Sequence, residues 1–397
     1  MFEHVTPYAG DPILSLMERF MADERPDKVN LSIGIYYDQQ GRVPVLSSIK
    51  KSKILLDTHP DEPYLYLPME GMEAYREAVR ELIFGSDHPV LSESRAATIQ
   101  TLGGSGALMI GASFLHRYFP DSNVWVSNPT WQNHKAIFRG AGLEIRNYPY
   151  FDPATKALDF DNMLNSIKGL DEKSVLLLHP CCHNPTGVDL SHEQWDQVIE
   201  VIKKNRLIPF FDIAYQGYGN SIDEDVYVIR RLTQESGLIA FVSSSFSKIF
   251  SLYGERAGSL SVVCRDSEEA KRVLGQLKAT VRCNYSTPPK NGAALISNVL
   301  NRCELKQLWI SEVNDMRARI LLMREKLYSR LNELCPGKDF RFLTQQKGMF
   351  SYTGLTTEQV DSLRRKYGVY LLASGRICLA GINESNIEKV ARAFALL

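Results

Sequence analysis

Residues 239–258 read IAFVSSSFSKIFSLYGERAG. The run 239–243 is apolar or small on both faces, the pattern of a strand buried inside a sheet that is covered on either side. Small hydroxyl residues follow, then Lys248, with Arg256 eight positions further on. A lysine at a strand end usually snorkels along its stem to water. Inside a cleft it loses hydration instead, its ammonium form is disfavoured, and the free amine becomes able to form an imine. Ser245 and Arg256 add a hydroxyl and a guanidinium suited to a phosphate. We read Lys248 in this second way because of what the rest of the chain places around it.

Further apolar runs at 97–101, 124–127, 175–179, 208–211 and 259–263 alternate with amphipathic stretches between about residue 44 and residue 300. This alternation predicts an α/β fold, a largely parallel sheet flanked by helices on both sides. Ligands of such sheets gather beyond the carboxyl ends of the strands. Three polar clusters lie just past run ends: HPCCHNPTG (179–187) centred on Asn184, DIAYQGYG (212–219) with Asp212 and Tyr215, and the Lys248 segment. They are expected to converge on one pocket. After four apolar residues Asp212 needs a partner; it is either a helix N-cap or the group opposite a pyridinium nitrogen, and beside Lys248 we prefer the second.

Residues 101–107, TLGGSGA, follow an apolar run and open a helix, so backbone amides around Gly103, Gly104 and Ser105 face one point as an anion site. The stretch is neither a Walker loop nor a dinucleotide fingerprint, and taken alone it also fits a tight turn. Trp131 in NPTWQNH (128–134) reads equally as a core tryptophan or as a ring stacked on a cofactor. His179, Cys181, Cys182 and His183 lie too close together to wrap a tetrahedral zinc and read as packing groups; no metal is expected.

Near the N-terminus Asp11 caps a helix starting at Pro12, with Ile13, Leu14, Met17, Phe20 and Met21 on its apolar face. Trp309, Val313, Met316, Ile320, Met323, Leu327 and Leu331 recur at helical spacing, and runs at 349–352, 369–372 and 377–380 read as strands of a smaller α+β unit. The expected division is an arm and helix at 1–43 joining the small domain, a large domain at 44–305, and the small domain with its connecting helix at 306–397. With 46 basic and 46 acidic residues the formal charge is zero, which argues against nucleic-acid or anionic-membrane partners. Seven cysteines without a C-x-x-C pair point to reduced thiols in a cytoplasm, and the N-terminus lacks the signal-peptide pattern. No segment approaches ~20 consecutive apolar residues, so no membrane span is expected.

The segment 245–258, SFSKIFSLYGERAG, resembles the lysine signature of class I aminotransferases. HPCCHNPTG, DIAYQGYG, GGSGAL (103–108) and SNPTWQNHKAIF (127–138) are similar to the aspartate and aromatic-amino-acid aminotransferase group. Within it, YAGDPILSLMERF (8–20), DKVNLSIG (27–34), LYLPMEGM (65–72), TLGGSGALM (101–109), GQLKATVR (275–282) and GMFSYTGL (348–355) look most like the bacterial aromatic (tyrosine) enzymes. The likeness covers essentially the whole chain.

The resemblance implies the fold type I of pyridoxal-phosphate enzymes and a homodimer with shared active sites. It implies transfer of the amine of Phe, Tyr or Trp to 2-oxoglutarate by a ping-pong mechanism, with aspartate also accepted; the alternative is an aspartate aminotransferase with secondary aromatic activity. Lys248 would hold pyridoxal 5′-phosphate as a Schiff base and move the proton, Asp212 would pair with the ring nitrogen, and Tyr215 and Asn184 would bond its phenolic oxygen. Trp131 would stack on the ring, with His134 and His179 behind Asp212. Gly103, Gly104, Ser105, Ser245 and Arg256 would take the phosphate, joined by Tyr66 from the other subunit. Arg376 in ASGRICLAG (373–381) would bind the α-carboxylate with the Gly34 backbone, and Arg282 from the partner a side-chain carboxylate; outside this register both arginines would read as surface ion pairs. Ile13, Leu14 and Ile33 would line the apolar side. A nicotinamide oxidoreductase lacks its glycine register here, and a non-catalytic regulator would need a basic face or extension that the chain lacks.

Overall fold

The computed structural model describes residues 1–7, 10–57, 63 and 65–397, with the side chains of Pro12 and Leu14 outside the description. Seven strands form the main sheet: β1 (Ala96–Leu102), β2 (Val124–Asn128), β3 (Ile145–Pro149), β4 (Val175–Leu178), β5 (Ile208–Ile213), β6 (Ala240–Ser245) and β7 (Ala257–Val263). Their order is β1-β7-β6-β5-β4-β2-β3. Every residue of β4, β5, β6 and β7 is buried, as central strands of a doubly covered sheet must be. The six apolar runs of the sequence each lie on a strand. The seventh strand, β3, has no such run because it is an edge, buried only at Tyr148 and closing on Pro149.

All neighbouring pairs are parallel except those of β7, which runs antiparallel to both β1 and β6. The start of β7 therefore lies at the same edge as the carboxyl ends of the other strands.

The chain divides into two compact units. One comprises Pro44–Asn184 and Val188–Ala318 and holds the sheet; the other comprises Met1–Val43, Pro185–Gly187 and Arg319–Leu397. In the second, Val29–Asn30 pairs in parallel with Val369–Tyr370, and Phe350–Tyr352 pairs antiparallel with Arg376–Cys378. Ile13 N donates to Asp11 Oδ1 at 2.8 Å, capping the helix Pro12–Ala22. Phe20 packs edge-on against Tyr370, whereas Met21, one step further round the helix, is exposed. The expected boundary after residue 305 falls in the first turn of the helix Cys303–Leu334; the structure divides further along the same helix, between Ala318 and Arg319. Its apolar stripe, Trp309 to Leu331, is buried without a break, so nothing local in the sequence marks the division. Among the described residues no helix is long and apolar enough to cross a membrane.

Trp309 is fully buried, stacks on Phe250 with ring centroids 4.6 Å apart, and donates from Nε1 to the Ile249 carbonyl at 2.8 Å. It thereby supports the turn that carries Lys248. Trp309→Ala is expected to cost about 3–5 kcal/mol, and Trp309→Phe, which keeps the stack and loses the donor, about 1–2 kcal/mol. Urea-unfolding midpoints check both values.

Candidate active site

Because β1, β2, β4, β5 and β6 share one direction, their carboxyl ends open at one edge. The residues at or just beyond these ends include Gly103, Trp131, Asn184, Asp212 with Tyr215, and Ser245 with Lys248. Arg256 joins them from the reversed strand β7, whose register sets Ala257 opposite Leu102 and Gly258 opposite Ser245.

Gly103 starts the helix Gly103–Tyr118 at φ +68°, and no side chain caps that end. A Cβ on Gly103 would fall 2.6 Å from Arg256 Nη2, and one on Gly104 3.0 Å from Ser245 Cβ. Only glycines let the guanidinium and the strand end press this close to the helix N-terminus. Arg256 Nη1 donates to Ser247 Oγ at 3.3 Å and to the Tyr253 carbonyl at 3.0 Å, and Ser105 sits half-buried in the first helical turn. Open amides, hydroxyls and a guanidinium around one point make a set of donors that fits a phosphate.

Deeper in, Asp212 is buried at the end of β5. His134 Nε2 donates to Asp212 Oδ2 at 2.9 Å, and Thr130 Oγ1 lies 2.9 Å from His134 Nδ1. A carboxylate only accepts, so the tautomer satisfying both contacts carries its proton on Nε2. Ser243 Oγ donates to Asp212 Oδ1 at 3.0 Å from the register-matched position on β6. Burial pushes the Asp212 carboxyl up, but the His134 hydrogen bond, the electrostatic influence of the His134 and His179 rings, and the Ser243 hydroxyl together hold it below the usual carboxylate range. A buried carboxylate kept anionic is the complement of a protonated ring nitrogen. Lys248 Nζ lies 5.3 Å from the centroid of the buried Tyr215 ring, and Tyr218 Oη donates to the Lys248 carbonyl at 3.1 Å. Asn184 is buried on its loop after β4. Trp131 is half-buried against the core and meets His134 edge-on, 5.2 Å between centroids. His179 lies 5.1 Å from His134. The donor set around Gly103 and the buried Asp212 carboxylate thus fit pyridoxal phosphate.

Gly34, Ile13, Ile33 and Arg376 belong to the second unit; Ile13 and Ile33 are half-buried, and the Leu14 side chain lies outside the described residues. Arg376 is buried, donates from Nη2 to the Ser32 carbonyl at 2.6 Å, and lies 4.1 Å from the Phe350 ring centroid. Arg282 is exposed near the end of the helix Ser267–Asn284, and Tyr66 is 94% exposed. Sequence reasoning missed Thr130, Ser243 and Tyr218. Ser243 was within reach, because aligning the ends of β5 and β6 sets it beside Asp212. Thr130 precedes His134 by four residues across a helix start, a spacing too common to signal anything.

Two groups among the described residues have metal-ligand composition: His134, His179 and Asp212, and Cys181, Cys182 and Asp225. In the first, both His134 nitrogens are engaged as described. In the second, the Asp225 oxygens accept the amides of Gly217, Gly219 and Asn220 at 2.8–2.9 Å.

A helix-end phosphate cradle, a strand-end lysine and a buried anionic aspartate define an enzyme that holds a phosphorylated pyridine. The family model for aminotransferase class I and II matches residues 26–394, and the chain belongs to that family as a pyridoxal-phosphate-dependent aminotransferase. It is 58% identical over 395 residues to the aromatic-amino-acid aminotransferase of Escherichia coli (strain K12), covering 100% of this chain and 99% of the relative. An aromatic-amino-acid aminotransferase from Burkholderia pseudomallei, covalently bound to pyridoxal phosphate, superposes with a TM-score of 0.97 at 46% identity, covering 100% of this chain and 99% of that one. A psychrophilic aromatic amino acids aminotransferase from Psychrobacter sp. B6, cocrystallised with aspartic acid, also gives 0.97, at 52% identity and coverage of 100% and 99%.

Burial pushes the His179 imidazole down to about 3, reinforced by His134 and opposed by Asp212. His183, also buried, is held well below its ordinary value. Between about pH 3 and the ordinary histidine value near 6.5 the unfolded chain binds protons that the folded chain does not. Stability is therefore complete above about pH 6.5 and is lost as the pH falls through this window, with a slope of about 1.4 kcal/mol per pH unit for each histidine. His179→Asn is expected to flatten that slope by one proton between pH 6 and 4.5, measured by urea unfolding across the range.

Proposed function

We propose that the protein moves the amino group of phenylalanine, tyrosine and tryptophan to 2-oxoglutarate by a ping-pong mechanism and also accepts aspartate. In this reading it acts as a cytoplasmic homodimer whose active sites are shared between subunits. The observation that carries the chemistry is the buried Asp212 carboxylate, held anionic by His134 at the sheet edge that also bears Lys248. The name of the Escherichia coli relative supports the aromatic preference, and the aspartic acid in the Psychrobacter structure supports the acidic one.

Bound pyridoxal phosphate supplies an imine-forming aldehyde and a ring that withdraws electrons from the substrate Cα–H bond. Lys248 Nζ anchors the cofactor and then takes and returns the Cα proton as general base. Asp212 would keep the ring nitrogen protonated, with His134 and Thr130 holding that carboxylate in place and His179 behind them, and Tyr215 and Asn184 would bond the phenolic oxygen. Trp131 would stack on the ring. Gly103, Gly104, Ser105, Ser245 and Arg256 would hold the phosphate with Tyr66 of the other subunit. Arg376 takes the α-carboxylate bidentately beside the Gly34 backbone, and Ile13, Leu14 and Ile33 give an aromatic side chain its apolar wall. Arg282 of the other subunit meets the side-chain carboxylate of aspartate or 2-oxoglutarate. The exposure of Tyr66 and Arg282 within one chain supports their service to a neighbour.

Lys248→Ala is expected to lose turnover by orders of magnitude while keeping a wild-type unfolding midpoint, since the phosphate and ring contacts come from other residues. Retained turnover in that variant would rule out the assigned base.

Arg282→Leu is expected to lower kcat/KM for aspartate by on the order of a hundredfold, the worth of a charge-assisted contact, and to leave phenylalanine nearly unchanged. Arg376→Leu is expected to depress both substrates together. The kcat/KM values of phenylalanine and aspartate in each variant, read as transition-state free energies, check this; equal losses in Arg282→Leu would make that residue structural.

A further inference from the structure

Arg324 lies on the helix Cys303–Leu334, is 1% exposed, and has no place in the chemistry described above. Its Nη1 donates to the Leu343 carbonyl at 2.8 Å and to Ser351 Oγ at 2.7 Å. Its Nη2 donates to the carbonyls of Lys347, Gly348 and Phe350 at 3.2, 2.8 and 2.6 Å. All five acceptors come from residues 343–351, the segment that leads into and begins the strand Phe350–Tyr352. A planar guanidinium spreads its donors over such a set in fixed directions, which an ammonium at a single point cannot do.

The strand so held pairs with Arg376–Cys378 in the register Tyr352↔Arg376, Ser351↔Ile377 and Phe350↔Cys378. Side chains alternate along a strand, so Phe350 and Arg376 are diagonal neighbours on one face of this ribbon, while Ser351 points to the other face and meets Arg324. The Arg376 guanidinium carbon lies 4.1 Å from the Phe350 ring centroid. The same ring occupies the space a side chain at position 34 would need, because a Cβ on Gly34 would fall 2.9 Å from Phe350 Cζ. The ring thus sits against Gly34, and the Arg376 guanidinium sits against the ring, steadied by the Ser32 carbonyl at 2.6 Å.

We infer that Arg324 is a positioning residue for substrate binding: by clamping the carbonyls of residues 343–350 it fixes the Phe350 ring, and the ring sets the plane of the Arg376 guanidinium. The inference rests on the proposed role of Arg376 as the α-carboxylate ligand. A bidentate contact depends on the orientation of that plane more than a single hydrogen bond would, so a ring displaced by a fraction of an ångström weakens capture of the carboxylate and spares the chemistry at Cα.

The test uses the cofactor-loaded enzyme in three variants: Phe350→Leu, Arg324→Lys and Arg376→Leu. Steady-state kinetics with phenylalanine are set beside the single half-reaction with 2-phenylethylamine, an amine without a carboxylate, followed by cofactor absorbance. Phe350→Leu and Arg324→Lys are each expected to raise the KM for phenylalanine roughly tenfold, the effect of losing a desolvated cation–π contact, with kcat within about twofold and the 2-phenylethylamine rate unchanged. Phe350→Leu keeps a buried apolar side chain and carries the test if Arg324→Lys does not fold. Equal losses with phenylalanine and 2-phenylethylamine, or an unchanged KM, overturn the inference. If Arg376→Leu raises the KM and neither other variant does, the positioning role alone fails; if Arg376→Leu leaves it unchanged, the carboxylate assignment fails and the inference falls with it.

Discussion

Burying an ionised carboxylate without compensation costs several kcal/mol, and proteins commonly avoid the cost by letting the group take up a proton. At Asp212 three neighbours prevent this: His134 donates to one oxygen, Ser243 to the other, and Thr130 fixes the tautomer that lets His134 donate at all. Each partner reaches the site from a different element: Ser243 from the adjacent strand β6, Thr130 from the loop after β2, and His134 from the helix Gln132–Gly140. The site therefore holds its negative charge only while the parallel sheet is in register. The buried charge and the integrity of the fold depend here on the same contacts.

A second constraint is the direction of one strand. If β7 ran parallel like its neighbours, Arg256 would start at the far edge of the sheet, away from the helix that opens at Gly103. Its reversal brings a guanidinium to the helix N-terminus, and the missing Cβ atoms at Gly103 and Gly104 leave room for it. Gly258 serves the same approach from the other side, since a Cβ there would fall 2.4 Å from the Gly103 carbonyl carbon. The glycines of this region are required by how closely backbones and an arginine converge, and at Gly103 also by its positive φ.

The unit that holds Arg376 solves a related problem with arginines. A buried guanidinium needs many acceptors, and backbone carbonyls at chain turns supply them without a countercharge. Arg319 bonds the carbonyls of Ile382, Ala380 and Asp38 at 2.6, 3.3 and 3.3 Å and lies over the Tyr36 ring, while Arg324 gathers the run ahead of Phe350. Long loops with little regular structure are thus held by single side chains of one helix.

Much of this was legible from local pattern. Apolar runs located six of the seven sheet strands, helical spacing located the buried face of Cys303–Leu334, and residue types at run ends picked out Lys248, Asp212, Asn184 and the Gly103 turn. These features are written in neighbouring residues, because side-chain periodicity and strand-end chemistry are properties of short segments. The edge strand β3 escaped because one buried residue makes no pattern. The reversal of β7, the Thr130–His134 hydrogen bond, and the stacking of Gly34, Phe350 and Arg376 were decided by tertiary structure alone. Each depends on which distant segments lie side by side and in what register, and that choice is made by packing the whole core, so no single segment carries its signature.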